Sequence, residues 1–177
     1  MNNYTDKNLL NAIGLSYGEL SLKGKNRGQF EKKLRNKINK VLKGFEYQLF
    51  DDLSKLYILI NPENLEEITD KLKKVFGIVG LNQSAKVERN DEFIKEKVLE
   101  FSNYAYEQGA RTFKIKVNRS NKGFEKKSMD YARELGAYVL VNSPFEKVKM
   151  KDPDVMINVD IRKNVYIYTD RIKTYGG

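Results

Sequence analysis

The sequence contains no cysteine and no histidine, and these absences exclude several kinds of site. Without cysteine there is neither a disulfide framework nor a thiol nucleophile. Without histidine there is no imidazole base, and a zinc site would need an unusual shell of carboxylates alone. The side chains most often used in catalysis are therefore missing, which favours a binding role over a free-standing enzyme.

Long apolar runs and nucleotide-binding loops are also missing. No stretch of about eighteen apolar residues could span a membrane. The opening decapeptide, MNNYTDKNLL, lacks the charged-then-apolar layout of a secretory signal. Neither a GxxxxGKS/T phosphate loop nor a GxGxxG pattern occurs. We therefore expect a cytoplasmic protein with no membrane partner.

Positive charge is present in excess, and it is concentrated in two segments. The net charge is +9, yet residues 21–44 alone hold nine lysines and arginines against one acid. Residues 111–127 hold seven against one, so the rest of the chain is net negative. Such segregation indicates a polyanionic partner, because charge added only for solubility would be spread more evenly.

Hydrophobic periodicity in residues 1–80 predicts the order strand, helix, strand, strand, helix, strand. This order is typical of a ferredoxin-like domain, a four-stranded sheet with two helices on one face. Asp51 and Asp52 fall in a hairpin connection, where we interpret them as turn formers rather than a catalytic pair. Asn61 and Pro62 are expected to begin the second helix, whose apolar stripe runs as far as Phe76. The predicted elements are strand 9–17, helix 27–44, strands 46–50 and 55–60, helix 62–76 and strand 78–88.

Helices and strands also alternate in residues 81–177. A helical stripe that includes Phe93 should end near Gly109. Ser128 is a candidate N-cap for a later helix, in which Gly136 suggests a close packing contact. Tyr166 and Tyr168 could stack bases or could pack under a helix. The predicted elements are helix 91–109, strand 112–117, helix 128–141 and strands 155–161 and 165–168.

Residues 111–127 form the most suggestive segment for binding. Phe113, Ile115 and Val117 alternate with polar and basic residues, which predicts a strand with one buried and one cationic face. A basic loop follows and leads into a helix, where side chains and free N–H groups together could hold an anion. A solvated lysine-rich loop is the alternative interpretation. The double glycine that follows Tyr175 suggests a boundary at which another domain begins.

Several short motifs occur in the order and spacing of one known family. They are YGEL at 17–20, KGKNR at 23–27, Phe30, VFGI at 75–78, TFKI at 112–115, Arg119, Lys122, Phe124, Ser128, DPDV at 152–155 and the final double glycine. Together they resemble the front part of the tRNA 4-thiouridine synthetases, the tRNA sulfurtransferases of the thiamine-biosynthesis (ThiI) type.

The resemblance implies an α+β fold with two modules. Residues 1–80 would form the βαββαβ ferredoxin-like domain, and residues 81–177 an α/β THUMP domain with a mixed sheet. The module would bind tRNA at the acceptor stem and 3′ CCA end, so that uridine 8 is thiolated by an ATP-pyrophosphatase domain that this chain lacks. ATP and magnesium would belong to that missing domain, which leaves no cofactor here. The full-length parent would act as a homodimer with a sulfur-donor protein, and this chain would be a truncated form or a short gene product.

Candidate RNA contacts follow from the basic segments and the resemblance together. Their cations would neutralise phosphates, and Phe124 would stack or pack. A generic RNA- or polyanion-binding module, or a protein-interaction module, is the alternative function. The candidates are Lys23, Lys25, Asn26, Arg27, Lys114, Lys116, Arg119, Lys122, Phe124, Lys126 and Lys127.

Overall fold

The computed structural model of the protein describes residues 3–17, 27–120 and 126–175. The chain packs into two compact units: a first unit of Leu10–Gln83 with Asp170–Gly177, and a second unit of Met1–Leu9 with Ser84–Thr169. Each contains helices and a sheet, so the predicted α+β class is confirmed. The domain boundary placed after residue 80 stays a prediction, because compact packing does not show that either unit folds alone.

The first unit has the predicted order of elements. Its strands are arranged β2-β3-β1-β4, and β3 is antiparallel to both β2 and β1. This arrangement confirms the βαββαβ ferredoxin-like prediction. The elements are β1 (Ala12–Tyr17), α1 (Arg27–Val41), β2 (Tyr47–Asp52), β3 (Lys55–Ile60), α2 (Leu65–Leu72) and β4 (Ile78–Val87), of which β4 belongs to this unit as far as Gln83.

Turn chemistry in the first unit follows the sequence. The Asp51 carboxylate accepts a hydrogen bond from the Ser54 N–H at 2.9 Å. Leu53 and Ser54 adopt positive φ angles of 49° and 68°, which closes the β2–β3 hairpin. The Asn61 side chain accepts a hydrogen bond from the Glu63 N–H at 3.1 Å and begins a 3-10 turn that leads into α2. The interpretation of Asp51 as a turn former is thus confirmed.

Phe76 departs from the prediction. α2 ends at Leu72, so the chain has left helical geometry before it reaches Phe76. Val75 is buried in the core, and Phe76 is 73% exposed. The inward position predicted for Phe76 is therefore wrong.

The second unit contains a mixed sheet in the order β4-β8-β7-β5-β6, to which β4 contributes the residues from Ser84 on. β5 is parallel to both β7 and β6, whereas β8 is antiparallel to β7 and β4. The predicted mixed sheet is confirmed. The elements are α3 (Asp91–Glu107), β5 (Thr112–Arg119), α4 (Ser128–Asn142), β6 (Lys147–Val148), β7 (Val155–Ile161) and β8 (Val165–Tyr168). A final strand, β9 (Ile172–Lys173), pairs with β4 at Gly80 and Leu81 in the first unit.

Three local predictions in the second unit are wrong. Phe93 is 45% exposed because it precedes the buried Ile94 by one residue, about 100° around the helix. Lys127 takes the N-cap position of α4 with extended backbone angles, so Ser128 is the first helical residue. Gly136 makes no close packing contact, since a Cβ built there meets nothing within 4 Å.

Candidate nucleic-acid interface

Strand β5 carries two of the predicted RNA contacts on its outer face. Phe113 is fully buried, and Ile115 and Val117 are only 6% and 8% exposed. Lys114 is partly exposed and Lys116 is exposed. Because side chains alternate along a strand, one face of β5 builds the core while the other presents cations.

A groove of about 590 Å³ lies between β5 and α4. Small residues of α4 line it, together with exposed apolar side chains such as Met129. Three cations also border it: Lys114, Lys116 and Arg133. An apolar surface next to cations suits a ligand that combines flat apolar groups with negative charge. The remaining lining residues are Ile115, Val117, Ser128, Ala132, Gly136, Ala137, Leu140, Val148 and Met150.

The edge of β5 opens onto this groove. In the described part of the chain, β6 pairs only with Thr112 and Phe113 of β5. The Phe113 carbonyl accepts a hydrogen bond from the Lys149 N–H at 2.9 Å on this edge. Backbone polar groups alternate in direction along a strand, so those of Ile115 and Val117 point the same way, toward the groove. Their N–H groups can donate hydrogen bonds to a ligand held in the groove, and their carbonyl groups can accept hydrogen bonds from it.

Arg119 and Lys126 bracket the segment 121–125, and both bind within the protein. The Arg119 Nη1 donates to the Lys126 carbonyl at 3.0 Å. The Lys126 Nζ lies 2.7 Å from Glu134 Oε2 and 3.8 Å from Asp91 Oδ1. Lys95 approaches the same two carboxylates, at 3.0 Å from Asp91 and 3.2 Å from Glu134. These two lysines and two acids thus compensate one another's charges.

The titration behaviour of this cluster follows from its contacts. The hydrogen bond from Lys126 holds the pKa of Glu134 below its ordinary value. Partial burial opposes ionisation of Asp91, but hydrogen bonds from Lys95 and Tyr131 outweigh it and lower the pKa of Asp91. Burial, and then the hydrogen bond to Asp91, raise the pKa of the Tyr131 hydroxyl. The carboxylates are therefore ionised at neutral pH, and the charge of Lys126 is already compensated.

The predicted contacts are only partly covered by the structure. Lys114 and Lys116 lie together at the groove, and Lys127 is exposed at the start of α4. A role in RNA binding stays a prediction for these three lysines and for Arg119 and Lys126, whose side chains also have partners within the protein. Lys23, Lys25, Asn26, Lys122, Phe124 and the side chain of Arg27 lie outside the described residues.

Sequence reasoning missed the contribution of α4 to the groove. Met129, Ala132, Gly136 and Leu140 recur at helical spacing on a face that lies about 100° around the helix from the buried Tyr131, Leu135 and Val139. A helix that is apolar on two faces signals a second contact surface, and this signal was available in the sequence. Tyr166 is fully buried, which excludes it as a stacking surface for bases.

Neither a membrane span nor a metal cluster is found in the described ranges. No helix there is long and apolar enough to cross a bilayer. Within the same ranges, acidic side chains form no group of three or more that could hold a metal ion. The groove between β5 and α4 is the candidate interface because it combines apolar side chains with three cations.

Comparison with known proteins places both halves of the chain. Residues 12–82 match the ThiI ferredoxin-like domain, and residues 88–170 match the THUMP domain. A probable tRNA sulfurtransferase from Finegoldia magna is 40% identical over 168 residues, covering 93% of this chain and 43% of that protein. One from Clostridium acetobutylicum is 38% identical over 159 residues, covering 90% of this chain and 40% of that protein. The chain thus spans about two fifths of the length of these curated relatives.

Two solved structures are similar to nearly the whole chain. The crystal structure of a 4-thiouridine synthetase–RNA complex with bound ATP superposes with a TM-score of 0.78 at 34% identity, covering 95% of this chain and 43% of that one. The crystal structure of PH1313 from Pyrococcus horikoshii superposes with a TM-score of 0.81 at 30% identity, covering 95% of this chain and 56% of that one. The chain therefore carries a ThiI ferredoxin-like domain followed by a THUMP domain, and it is similar to probable tRNA sulfurtransferases over about two fifths of their length.

Proposed function

We propose that the chain is a tRNA-binding module and that the groove between β5 and α4 receives the unpaired 3′ CCA end. The main support for this proposal is the apolar groove, which is bordered by Lys114, Lys116 and Arg133. Unpaired bases can enter such a groove and pack against its apolar side chains, whereas bases in a duplex cannot. The cations would neutralise the phosphates of the same nucleotides. The similarity to a 4-thiouridine synthetase solved with RNA supports this assignment.

The finer part of the proposal concerns the reaction. Holding the acceptor stem would position uridine 8 for thiolation by a catalytic domain in the part of the relatives that this chain does not span. We assign ATP, magnesium, the sulfur donor and any homodimer interface to the full-length protein, and no cofactor to this chain. Incubation of the chain with ATP, magnesium, a sulfur donor and tRNA should then yield no 4-thiouridine. Its formation would contradict the non-catalytic assignment.

Competition and charge reversal test the binding function. Intact tRNA should displace a labelled tRNA far better than heparin of equal charge. Lys116→Glu should weaken tRNA binding and lower the slope of log K against log salt by about 1, because one phosphate contact is lost. Lys163→Glu is the matched control, since Lys163 is exposed in the β7–β8 turn and does not line the groove. Equal effects of the two substitutions would contradict the groove assignment.

The part of the β5 edge that no described residue pairs with favours a second candidate, a protein-interaction module. An extended peptide could add to the backbone groups of Ile115 and Val117 as a new strand. The affinity for such a peptide would depend little on salt. In the competition assay with labelled tRNA, tRNA that lacks its CCA end would then compete as well as intact tRNA. If heparin displaces the labelled tRNA as well as intact tRNA does, the chain is instead a generic polyanion-binding module.

A further inference from the structure

Phe76 is an outward-pointing aromatic residue held on a firmly anchored turn of the first unit. Its ring is 73% exposed, although Val75 and Ile78 on either side are 4% and 0% exposed. The Val75 and Ile78 N–H groups donate to turn carbonyls at 3.1 and 3.3 Å. Gly77 has a φ of +100°, and a Cβ there would stand 3.1 Å from the Phe30 ring of α1. The turn therefore fixes the Phe76 ring in solvent.

A row of cations runs beside this ring. The Lys37 Nζ lies 5.3 Å from the centre of the Phe76 ring. Lys33 and Lys40 are exposed on α1 at positions four before and three after Lys37, so they occupy the same side of the helix. An exposed aromatic next to a row of cations is the pattern of a surface that tracks a nucleic-acid strand.

A second exposed aromatic residue is hydrogen-bonded to the same turn from the segment after β9. Tyr175 is 77% exposed, and its N–H donates to the Lys73 carbonyl at 3.0 Å. The Thr174 hydroxyl donates to the Ile78 carbonyl and further ties this segment to the start of β4. The turn after α2 and the segment bonded to it thus each place one aromatic side chain in solvent, which differs from a single scattered apolar residue.

We propose that Phe76 is a stacking platform for a nucleobase of bound RNA and that Lys33, Lys37 and Lys40 bind the flanking phosphates. The inference rests on the proposed tRNA-binding function and adds a contact surface in the first unit. Every base has a π-face, so the ring would bind without reading sequence. The cation row fits RNA better than an apolar peptide, because each phosphate brings a negative charge to a lysine.

The absence of tryptophan from the sequence makes a direct optical test possible. Phe76→Trp would place a single tryptophan at the platform, and stacking of a base on it should quench its fluorescence when tRNA is added. Heparin, which has charge but no bases, should bind without quenching. Phe93→Trp is the matched control: Phe93 is also an exposed phenylalanine, but it lies in the acidic first turn of α3 beside Asp91 and Glu92. Its emission should stay unchanged with tRNA.

The outcomes separate this inference from the proposed function. If tRNA binds the Phe76→Trp variant without changing its emission, or if heparin quenches that emission equally, base stacking is excluded and the tRNA-binding proposal stands. If tRNA does not bind the unaltered chain, both proposals fail. Iodide quenching measures the exposure of the tryptophan in the Phe76→Trp variant. If a protein partner shields this tryptophan from iodide and RNA does not, the inference is also overturned.

Affinity gives a second readout. Phe76→Ala should weaken tRNA binding roughly tenfold, the loss expected for one stacked base, and Phe76→Tyr should restore it. The melting temperature should not fall, because the ring contributes little to the core. Lys37→Glu should lower the salt slope by about 1, whereas Lys43→Glu, an exposed lysine just beyond α1, should not. Unchanged affinity of Phe76→Ala would contradict the platform.

Discussion

Gly136 lies in the interior of α4, and open space surrounds the position of its missing Cβ. Glycine inside a helix costs about 0.5–1 kcal/mol relative to alanine, so Gly136→Ala should raise the free energy of unfolding by about that amount. Urea denaturation followed by circular dichroism measures it. Gly109→Ala is the control: space is open there too, but a φ of +110° should make the alanine destabilising. If Gly136→Ala lowers the free energy of unfolding instead, Gly136 does make the close packing contact that the sequence suggested.

Glu134 of α4 binds both Lys95 of α3 and Lys126, which precedes α4. Its lowered pKa means that its ionised form stabilises the fold. This stabilisation is present above the ordinary pKa of 4.5 and is lost as the pH falls through the lower pKa of the folded state. Glu134→Gln should therefore lower the melting temperature at pH 7, and the difference from the unaltered chain should shrink in acid.

Thermal melts at pH 7 and in acid measure this difference. Glu96→Gln on the exposed side of α3 serves as the control and should change the melting temperature little at either pH. A pH-independent loss in Glu134→Gln would show that packing, rather than charge, explains the role of Glu134.

At the scale of elements, Asp154 ties the beginning of β7 to the beginning of β5. Its carboxylate accepts hydrogen bonds from the N–H groups of Arg111 and Thr112 at 2.8 and 3.1 Å. The Thr112 hydroxyl in turn accepts from the Asp154 N–H at 2.9 Å. The two backbone donors lower the pKa of Asp154, so the ionised form is the one that the fold favours.

Asp154→Ala should therefore destabilise the second unit and loosen the start of β5. Because the site is exposed, we expect a loss of only about 1 kcal/mol, which corresponds to a fall in melting temperature of about 2–4 °C. Glu146→Ala, an exposed acid before β6, is the control. Amide exchange at Thr112 and Phe113 that is no faster in Asp154→Ala than in the control would contradict the clamp.

Elements with a clear period could be predicted, and their ends could not. The alternation around Ile115 predicted β5, and the spacing of Tyr131 and Leu135 predicted α4, because one face of each element must be buried. The buried position predicted for Phe76 was wrong because α2 ends before this residue. Helix ends depend on turn geometry, which the spacing of apolar residues does not encode. The N-cap of α4 was predicted at Ser128, one residue too late, for the same reason.

At the scale of the whole molecule, the candidate site was half visible in the sequence. Charge segregation identified Lys114 and Lys116, since cations stand out in composition. The groove itself requires the distance between β5 and α4, which only the folded chain supplies. Sequence reasoning counted Lys126 as a phosphate contact, but it could not reveal the carboxylates of Asp91 and Glu134 beside it, because they come from other elements.

The occupant of the groove between β5 and α4 decides the function of the second unit. A double-mutant cycle tests this directly by measuring the affinity of the unaltered chain and of Gly136→Leu for intact tRNA and for tRNA without its CCA end. If the CCA end lies in the groove, Gly136→Leu fills its place. It should then weaken binding of intact tRNA about tenfold and leave binding of the shortened tRNA unchanged, because the two changes remove the same contact. An equal loss of affinity for both RNAs would place the CCA end elsewhere and contradict the account.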